Sequence, residues 1–172
     1  MLTDGQSVLL DTGTTTLELA RALASRRSMT VVTTSLAAAS VLQFTPAVRT
    51  ILLGGFLRVG QPDLWGPITD GNLDGLHVDR AFLGADAVGP DGSLYCSDLN
   101  VARLASRMAR TGDAAYVLAD SSKFGHKSLG RYGGPGDVDG LITDDGITRE
   151  QRDALAQAGM HVIVAGAGGP AA

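Results

Sequence analysis

Apolar residues occur along the chain in short, continuous runs that are rich in β-branched side chains. Runs of this kind are typical of strands that are buried on both faces, as in parallel sheets. They predict seven strands, at Ser7–Asp11, Thr30–Thr33, Arg49–Leu53, Arg80–Leu83, Ala115–Ala119, Gly140–Ile142 and Met160–Val164.

Between several of these runs, apolar residues recur at helical spacing instead. Leu17, Ala20 and Leu23, for example, fall on one stripe of a helix. The spacing predicts helices at Thr16–Ala24, Ser35–Gln43, Asn100–Arg110 and Thr148–Ala158. Alternating strands and helices favour an α/β fold, with a Rossmann-like open, mostly parallel sheet flanked by helices.

Two glycine-rich stretches interrupt this alternation. Residues 54–78 predict a small irregular or β excursion from the sheet, and residues 125–136 predict a loop. No linker divides the chain, so we expect a single domain over residues 1–165 and a flexible tail over residues 166–172.

Composition narrows the classes of function. The chain has 172 residues, of which 44% are hydrophobic, and its net charge is −4. A DNA-binding surface is normally basic, so this chain is not expected to bind DNA itself. No apolar run approaches the roughly 18–20 residues of a membrane span. Cys96 is the single cysteine, which excludes an internal disulfide and fits a reducing, cytoplasmic setting.

The segment from Asp11 to Thr16 carries the most informative candidate chemistry. A strand ends at Asp11, and Thr12, Gly13 and Thr14 lead into a helix that is expected to start near Thr15. Free N–H groups at a helix start, with the helix dipole, attract phosphate. A capping box between Thr15 and Glu18 is the alternative explanation. Neither a Walker loop nor GxGxxG is present, so no cofactor is expected.

Two further candidates follow buried strands. Asp86 could accept hydrogen bonds from sugar hydroxyls or act as a base, and Lys123 could supply a positive charge to a phosphate. The alternatives are that Asp86 caps the turn at residues 89–92 and that Lys123 is a solvated surface residue.

Two more candidates are less distinctive. Arg58 follows a double glycine and could bind a phosphate or carboxylate, or could lie at a rim. Thr34 precedes a helix whose N-cap is predicted to be Ser35. The three histidines show no metal-ligand spacing, so neither a metal site nor a catalytic residue is predicted.

Six motifs in one order resemble a known family. They are LDTGTTT, VVTTSL, LLGGFLR, FLGADAV, LADSSKFG and LITDDGI. Over about residues 5–165 the chain resembles the C-terminal effector-sensing domain of DeoR-family transcriptional regulators. The resemblance implies a fold shared with ribose-5-phosphate isomerase, glucosamine-6-phosphate deaminase and CoA transferases.

The resemblance also implies a function. Members of this family bind a phosphorylated sugar or polyol and relay this binding signal to an N-terminal winged helix-turn-helix. By motif position, the phosphate loop falls on residues 13–16, the sugar-contacting aspartate on Asp86 and the sensing lysine on Lys123. Arg58 and Thr34 lie in segments that border the pocket. A homo-oligomer, dimer or tetramer, is expected.

The chain departs from the family pattern in three ways. Only MLTDGQ precedes the first predicted strand, so a fragment, an excised domain or an unusual stand-alone sensor is expected, with DNA reached only through a missing N-terminal domain. Asn100, Val101 and Ala105 replace the usual helix charges, and Tyr95-Cys96 replaces the usual threonines. These losses favour a sensor over an isomerase-like enzyme. An oligomerisation module with a vestigial pocket is the third hypothesis.

Overall fold

The computed structural model describes residues 2–166. Its strands are β1 Ser7–Leu10, β2 Met29–Thr33, β3 Val48–Leu52, β4 Phe56–Leu57, β5 Leu64–Trp65, β6 Val78–Gly84, β7 Ala87–Val88, β8 Leu94–Cys96, β9 Gly112–Leu118, β10 Gly130–Gly133, β11 Gly140–Thr143 and β12 Val162–Val164. Its helices are α1 Thr14–Leu23, α2 Leu36–Leu42, α3 Pro67–Leu73, α4 Leu99–Ala109 and α5 Arg149–Gln157.

Seven strands form the central sheet in the order β12-β11-β9-β6-β1-β2-β3. Every neighbouring pair in it is parallel, which confirms the predicted fold class. The chain moves from β1 toward β3 on one side and from β6 toward β12 on the other. The strand order therefore reverses between β1 and β6, where open α/β sheets leave a crevice at the carboxyl ends.

The core lies on both faces of this sheet. On β1, Val8 and Leu10 pack in the cluster that includes Leu23 of α1, and Leu9 packs in the cluster that includes Met108 of α4. The three strand residues are fully buried. Burial on both faces explains why the strand has a continuous apolar run rather than an alternating one.

The predicted excursion over residues 54–78 is confirmed as partly β, but it also contains a helix. β4 and β5 pair as an antiparallel hairpin, and α3 follows directly. Thr69 of α3 donates a hydrogen bond to the carbonyl of Gly54 at 2.7 Å, which ties α3 to the start of the excursion. Helix α3 was not predicted because its sequence, PITDGNL, contains a proline, a glycine and little apolar periodicity.

The prediction of a loop over residues 125–136 is wrong in part. β10 lies within it and pairs antiparallel with β8, in a three-stranded sheet with β7. A Cβ atom at Gly130 would lie 2.7 Å from the Cβ of Ala102, so the glycine allows β10 to pack against α4. The predicted tail, residues 166–172, lies outside the described residues except for Gly166.

Helix capping differs from prediction at α1. Ser35 is the N-cap of α2, as predicted, and accepts a hydrogen bond from the Ala38 N–H at 3.1 Å. The predicted capping box of Thr15 and Glu18 is absent, because α1 starts at Thr14 and no side chain caps it. The chain's capping box is instead in α5, between Thr148 and Gln151.

Thr148→Ala is expected to lower the free energy of unfolding by about 1 kcal/mol, since it removes this cap. Thr148 accepts from the Gln151 N–H at 3.2 Å, and Gln151 accepts from the Thr148 N–H at 2.9 Å. Urea denaturation checks this, with Thr15→Ala as the matched control. A loss at Thr15 as large as that at Thr148 would contradict the assignment of the caps.

Candidate functional site

The carboxyl ends of β1, β6 and β9 surround a cavity of about 220 Å³. Nine of the ten residues proposed from the sequence line it: Asp11, Thr12, Gly13, Thr14, Thr15, Thr16, Arg58, Asp86 and Lys123. The structure therefore brings together four segments that are far apart in the sequence. They meet where the strand order reverses, because parallel strands end at the same edge.

The floor of the cavity is the loop between β1 and α1. Gly13 has φ of 140°, a conformation that favours glycine. The C=O of Gly13 accepts from the Leu17 N–H at 3.0 Å and from the Thr16 hydroxyl at 3.0 Å. The N–H groups of the first helical turn have no acceptor within the helix, and no side chain supplies one. These donors are available to an anion in the cavity.

Asp11 connects this loop to the end of β6. Its carboxylate accepts a hydrogen bond from the Gly84 N–H at 3.1 Å, and the residue is only 5% exposed. Burial raises the pKa of Asp11 to about 6, although the N–H groups of Thr12 and Gly84 act in the opposite direction. The cavity floor thus contains a carboxyl group that is costly to ionise.

Asp86 lies on the wall of the cavity and is held by β8. Its Oδ2 accepts from the Ser97 N–H at 2.6 Å and from the Ser97 hydroxyl at 2.7 Å. The predicted alternative, that Asp86 caps the following turn, is wrong. That turn is closed by Asp91, whose carboxylate accepts from the Ser93 N–H. One carboxylate oxygen of Asp86 is held by Ser97, which orients the side chain at the cavity.

The cavity contains two cations in different electrostatic situations. Arg58 forms a bidentate pair with the buried Asp63, Nε to Oδ1 at 2.9 Å and Nη2 to Oδ2 at 2.7 Å. This pairing raises the pKa of Arg58 and offsets its charge. Lys123, in a short 3-10 helix at Ser121–Lys123, makes no ion pair within residues 2–166. Its charge is therefore the one that an anionic ligand would neutralise.

Thr34 does not line the cavity. It is buried between β2 and α2, and its C=O accepts from the Leu64 N–H at 3.0 Å. Its role is to hold the β4–β5 hairpin against the central sheet. The hairpin in turn places Arg58 and Gln61 at the cavity.

The cavity also contains residues that were not among the predicted site residues. Asp120 precedes the short helix and accepts from the Ser122 N–H at 3.0 Å. Ser97, Gln61, Val101 and Cys96 also line the cavity. Burial raises the pKa of the Cys96 thiol well above its usual range, so the thiol stays protonated and is a poor nucleophile. The motif LADSSK could have indicated Asp120, and the departures from the family pattern at Cys96 and Val101 marked two more, but nothing local marks Ser97 and Gln61.

A family model described as the DeoR C terminal sensor domain matches residues 1–145. The chain belongs to the DeoR C-terminal sensor family. The resemblance drawn from the six motifs is thereby confirmed. This DeoR sensor domain also resembles full-length regulators, at modest identity.

Three curated relatives illustrate how similar the chain is to known regulators, in identity and in coverage. The transcriptional repressor AccR of Agrobacterium fabrum is 32% identical over 147 residues, 85% of this chain and 57% of that protein. The HTH-type transcriptional regulator GlpR of Haloferax volcanii is 30% identical over 94% of this chain and 63% of that protein. The glycerol-3-phosphate regulon repressor of Escherichia coli is 29% identical over 82% of this chain and 56% of that protein. The chain thus spans about 60% of the length of these relatives.

Solved structures share the fold of this DeoR sensor domain. Ribose 5-phosphate isomerase A from Methanocaldococcus jannaschii covers 72% of this chain and 48% of its own length, with a TM-score of 0.51 and 22% identity. The eIF2B beta subunit from Chaetomium thermophilum covers 81% of this chain and 44% of its own length, with a TM-score of 0.58 and 21% identity. The isomerase and the eIF2B beta subunit share one architecture, so the fold alone does not specify the activity.

None of the helices within residues 2–166 is both long enough and apolar enough to cross a membrane. Residues 2–166 also contain no group of three or more histidine, cysteine or acidic side chains arranged to hold a metal ion.

Proposed function

We propose that this DeoR sensor domain binds a phosphorylated sugar or polyol in the cavity between β1, β6 and β9. The single observation that carries the proposal is that the uncapped N-terminus of α1, Lys123 and Asp86 line one cavity. The helix N-terminus and the lysine suit a phosphate, and the carboxylate suits hydroxyl groups.

The size and polarity of the cavity support a small metabolite. Its volume of about 220 Å³ is below the roughly 300–1,000 Å³ of pockets for drug-sized ligands. Threonine hydroxyls, backbone N–H groups and carboxylates dominate its lining. A ligand with a phosphate at one end and hydroxyls at the other would satisfy both kinds of group.

The relatives support a regulatory role. All three named above are described as transcriptional repressors or regulators, and one is named for a glycerol-3-phosphate regulon. We infer that the sensor domain reports its ligand to a DNA-binding domain elsewhere in a longer protein. The net charge of −4 supports a division of labour in which this domain does not contact DNA.

We infer that binding occurs without turnover. The inference is supported by the regulatory relatives, and by the α4 side of the cavity, which contributes the aliphatic Val101, whereas the carboxyl groups of Asp11, Asp86 and Asp120 lie on the other sides. An isomerase-like reaction would require a proton acceptor and a partner acid around the sugar. NMR spectra of ribose 5-phosphate and glucosamine 6-phosphate incubated with the protein test this. Turnover that disappears in Asp86→Asn would contradict the proposal.

Thermal unfolding tests ligand binding directly. The panel contains ribose 5-phosphate, fructose 1-phosphate, glucosamine 6-phosphate and glycerol 3-phosphate, each with its unphosphorylated counterpart, and inorganic phosphate. A phosphorylated compound that binds the folded state raises the unfolding temperature, and its counterpart does not. Equal shifts with each member of a pair, or no shift with any compound, would contradict a phosphate-specific site.

A further inference from the structure

β3 is the last strand of the central sheet, and one of its sides has no partner. Within residues 2–166 it pairs only with β2. The Leu53 N–H donates to the Thr33 C=O at 2.9 Å, so the odd-numbered residues of β3 direct their backbone groups toward β2. Because these groups alternate along a strand, Thr50 and Leu52 direct their N–H and C=O groups away from the sheet.

The β3 edge lacks most of the features that prevent edge strands from pairing. Proteins usually protect such edges with proline, a bulge, lysine or a very short strand. β3 has five residues, contains no proline, and keeps an unbroken register with β2. Arg49, at the second position, is its only charged residue. The strand is therefore able to accept another strand.

Exposed apolar side chains are frequent on β3 and in the segments next to it in the sequence. Among the residues described, nine large hydrophobic side chains are exposed, and seven of them lie on β3 or in the segments that precede and follow it along the chain. The seven are Phe44, Ile51, Leu52, Phe56, Leu57, Val59 and Ile68. Ile68 adjoins the end of β3, because a Cβ atom at Gly54 would lie 3.9 Å from its Cγ2.

The amount of apolar surface is close to what a stable interface uses. At on the order of 100 Å² for each large apolar side chain, seven such residues offer several hundred Å². A standard interface buries about 800 Å² on each partner, and the largest apolar patch of a monomer is about 300–600 Å². The apolar surface of β3 and its flanks therefore supplies a large part of a standard interface, to which the hydrogen bonds of paired strand backbones would add.

We propose that β3 is a dimer interface, at which it pairs antiparallel with β3 of a second copy of this chain. A twofold axis brings identical edge strands together in opposite directions, so each strand supplies the hydrogen-bond partner of the other. The two seven-stranded sheets become one continuous sheet. The net charge of −4 disfavours an anionic membrane as the occupant.

The proposed interface is connected to the cavity through a short segment. β3 continues through Gly54 and Gly55 into the β4–β5 hairpin, whose Arg58 and Gln61 line the cavity. The dimer itself requires no ligand, so this inference does not rest on the proposed function. It can succeed or fail while the ligand panel gives either result.

Sedimentation velocity of the full chain over a range of concentrations, without ligand, tests the proposal. We expect a dimer, and we expect Leu52→Lys to raise its dissociation constant roughly tenfold or more, because it would place a charged lysine from each copy at the apolar strand edge. Leu129→Lys is the matched control, since Leu129 is 72% exposed on another surface, and it should leave association unchanged. Circular dichroism confirms that both variants are folded.

Hydrogen exchange measured by NMR tests the strand pairing itself. The amides of Thr50 and Leu52 should be protected in the dimer and should exchange faster as dilution produces monomer. A monomer at every concentration would overturn the proposal. A dimer that Leu52→Lys leaves intact, or in which both amides exchange freely, would also overturn it, because association would then use another surface.

Discussion

Replacing Lys123 with alanine is expected to weaken binding of a phosphorylated ligand by about tenfold to a hundredfold. A hydrogen bond to a charged group contributes about 1.5–3 kcal/mol, which corresponds to this range. The effect should be large because Lys123 makes no ion pair in the part of the chain that is described, whereas the charge of Arg58 is offset by Asp63. No other cation at the cavity can readily replace it.

Isothermal titration with the strongest ligand from the panel measures this loss. Lys127→Ala is a close control, because Lys127 is the other lysine of the chain, is exposed and does not line the cavity. The unphosphorylated counterpart of the ligand should bind Lys123→Ala and the wild type equally. Equal affinity of Lys123→Ala and Lys127→Ala for the phosphorylated ligand would remove Lys123 from the site.

Asp11→Asn is expected to stabilise the folded domain at neutral pH by up to about 3 kcal/mol. A carboxyl whose pKa rises from 3.8 to about 6 on folding is harder to ionise in the folded state, and each unit corresponds to about 1.36 kcal/mol. The folded state therefore binds the proton more tightly. The cost of ionising Asp11 is absent below about pH 4 and is fully present above about pH 6.

Urea denaturation of both proteins from pH 4.5 to pH 8 measures the difference. The amide of asparagine can still accept the Gly84 N–H hydrogen bond without carrying a charge. The difference in free energy of unfolding should grow as pH rises from about 4 to about 6 and then level off. Asp145→Asn, at an exposed position, should show no such growth. A constant difference at every pH would show that Asp11 ionises normally.

The sequence predicted much of the site because of one property of parallel sheets. Asp11, Asp86 and Lys123 each follow a buried apolar run, and parallel strands place such positions at one edge. The edge that they share could therefore be predicted without knowing the strand order, whereas their meeting at one cavity depends on β1, β6 and β9 being neighbours in the sheet. Gly13 and the threonines after it also indicated the loop, since backbone conformation and the start of a helix are local properties.

Other parts of the site depend on long-range packing. Ser97 reaches Asp86 only because β8 pairs with β7, and these short strands have no distinctive pattern in the sequence. Thr34 follows a buried strand just as Asp11 does, yet the β4–β5 hairpin covers it. A residue at a strand end can thus be a cavity residue or a packing residue, and local sequence does not distinguish the two.

The uncapped start of α1 makes the proposed ligand a structural part of the helix. Most helices complete their first turn with a side chain, as Ser35 does for α2 and Thr148 does for α5. In α1 no side chain caps the first turn, and a ligand bound above Gly13 would do so. A bound phosphate would act as an exchangeable cap, so the order of the first turn would depend on the concentration of a metabolite.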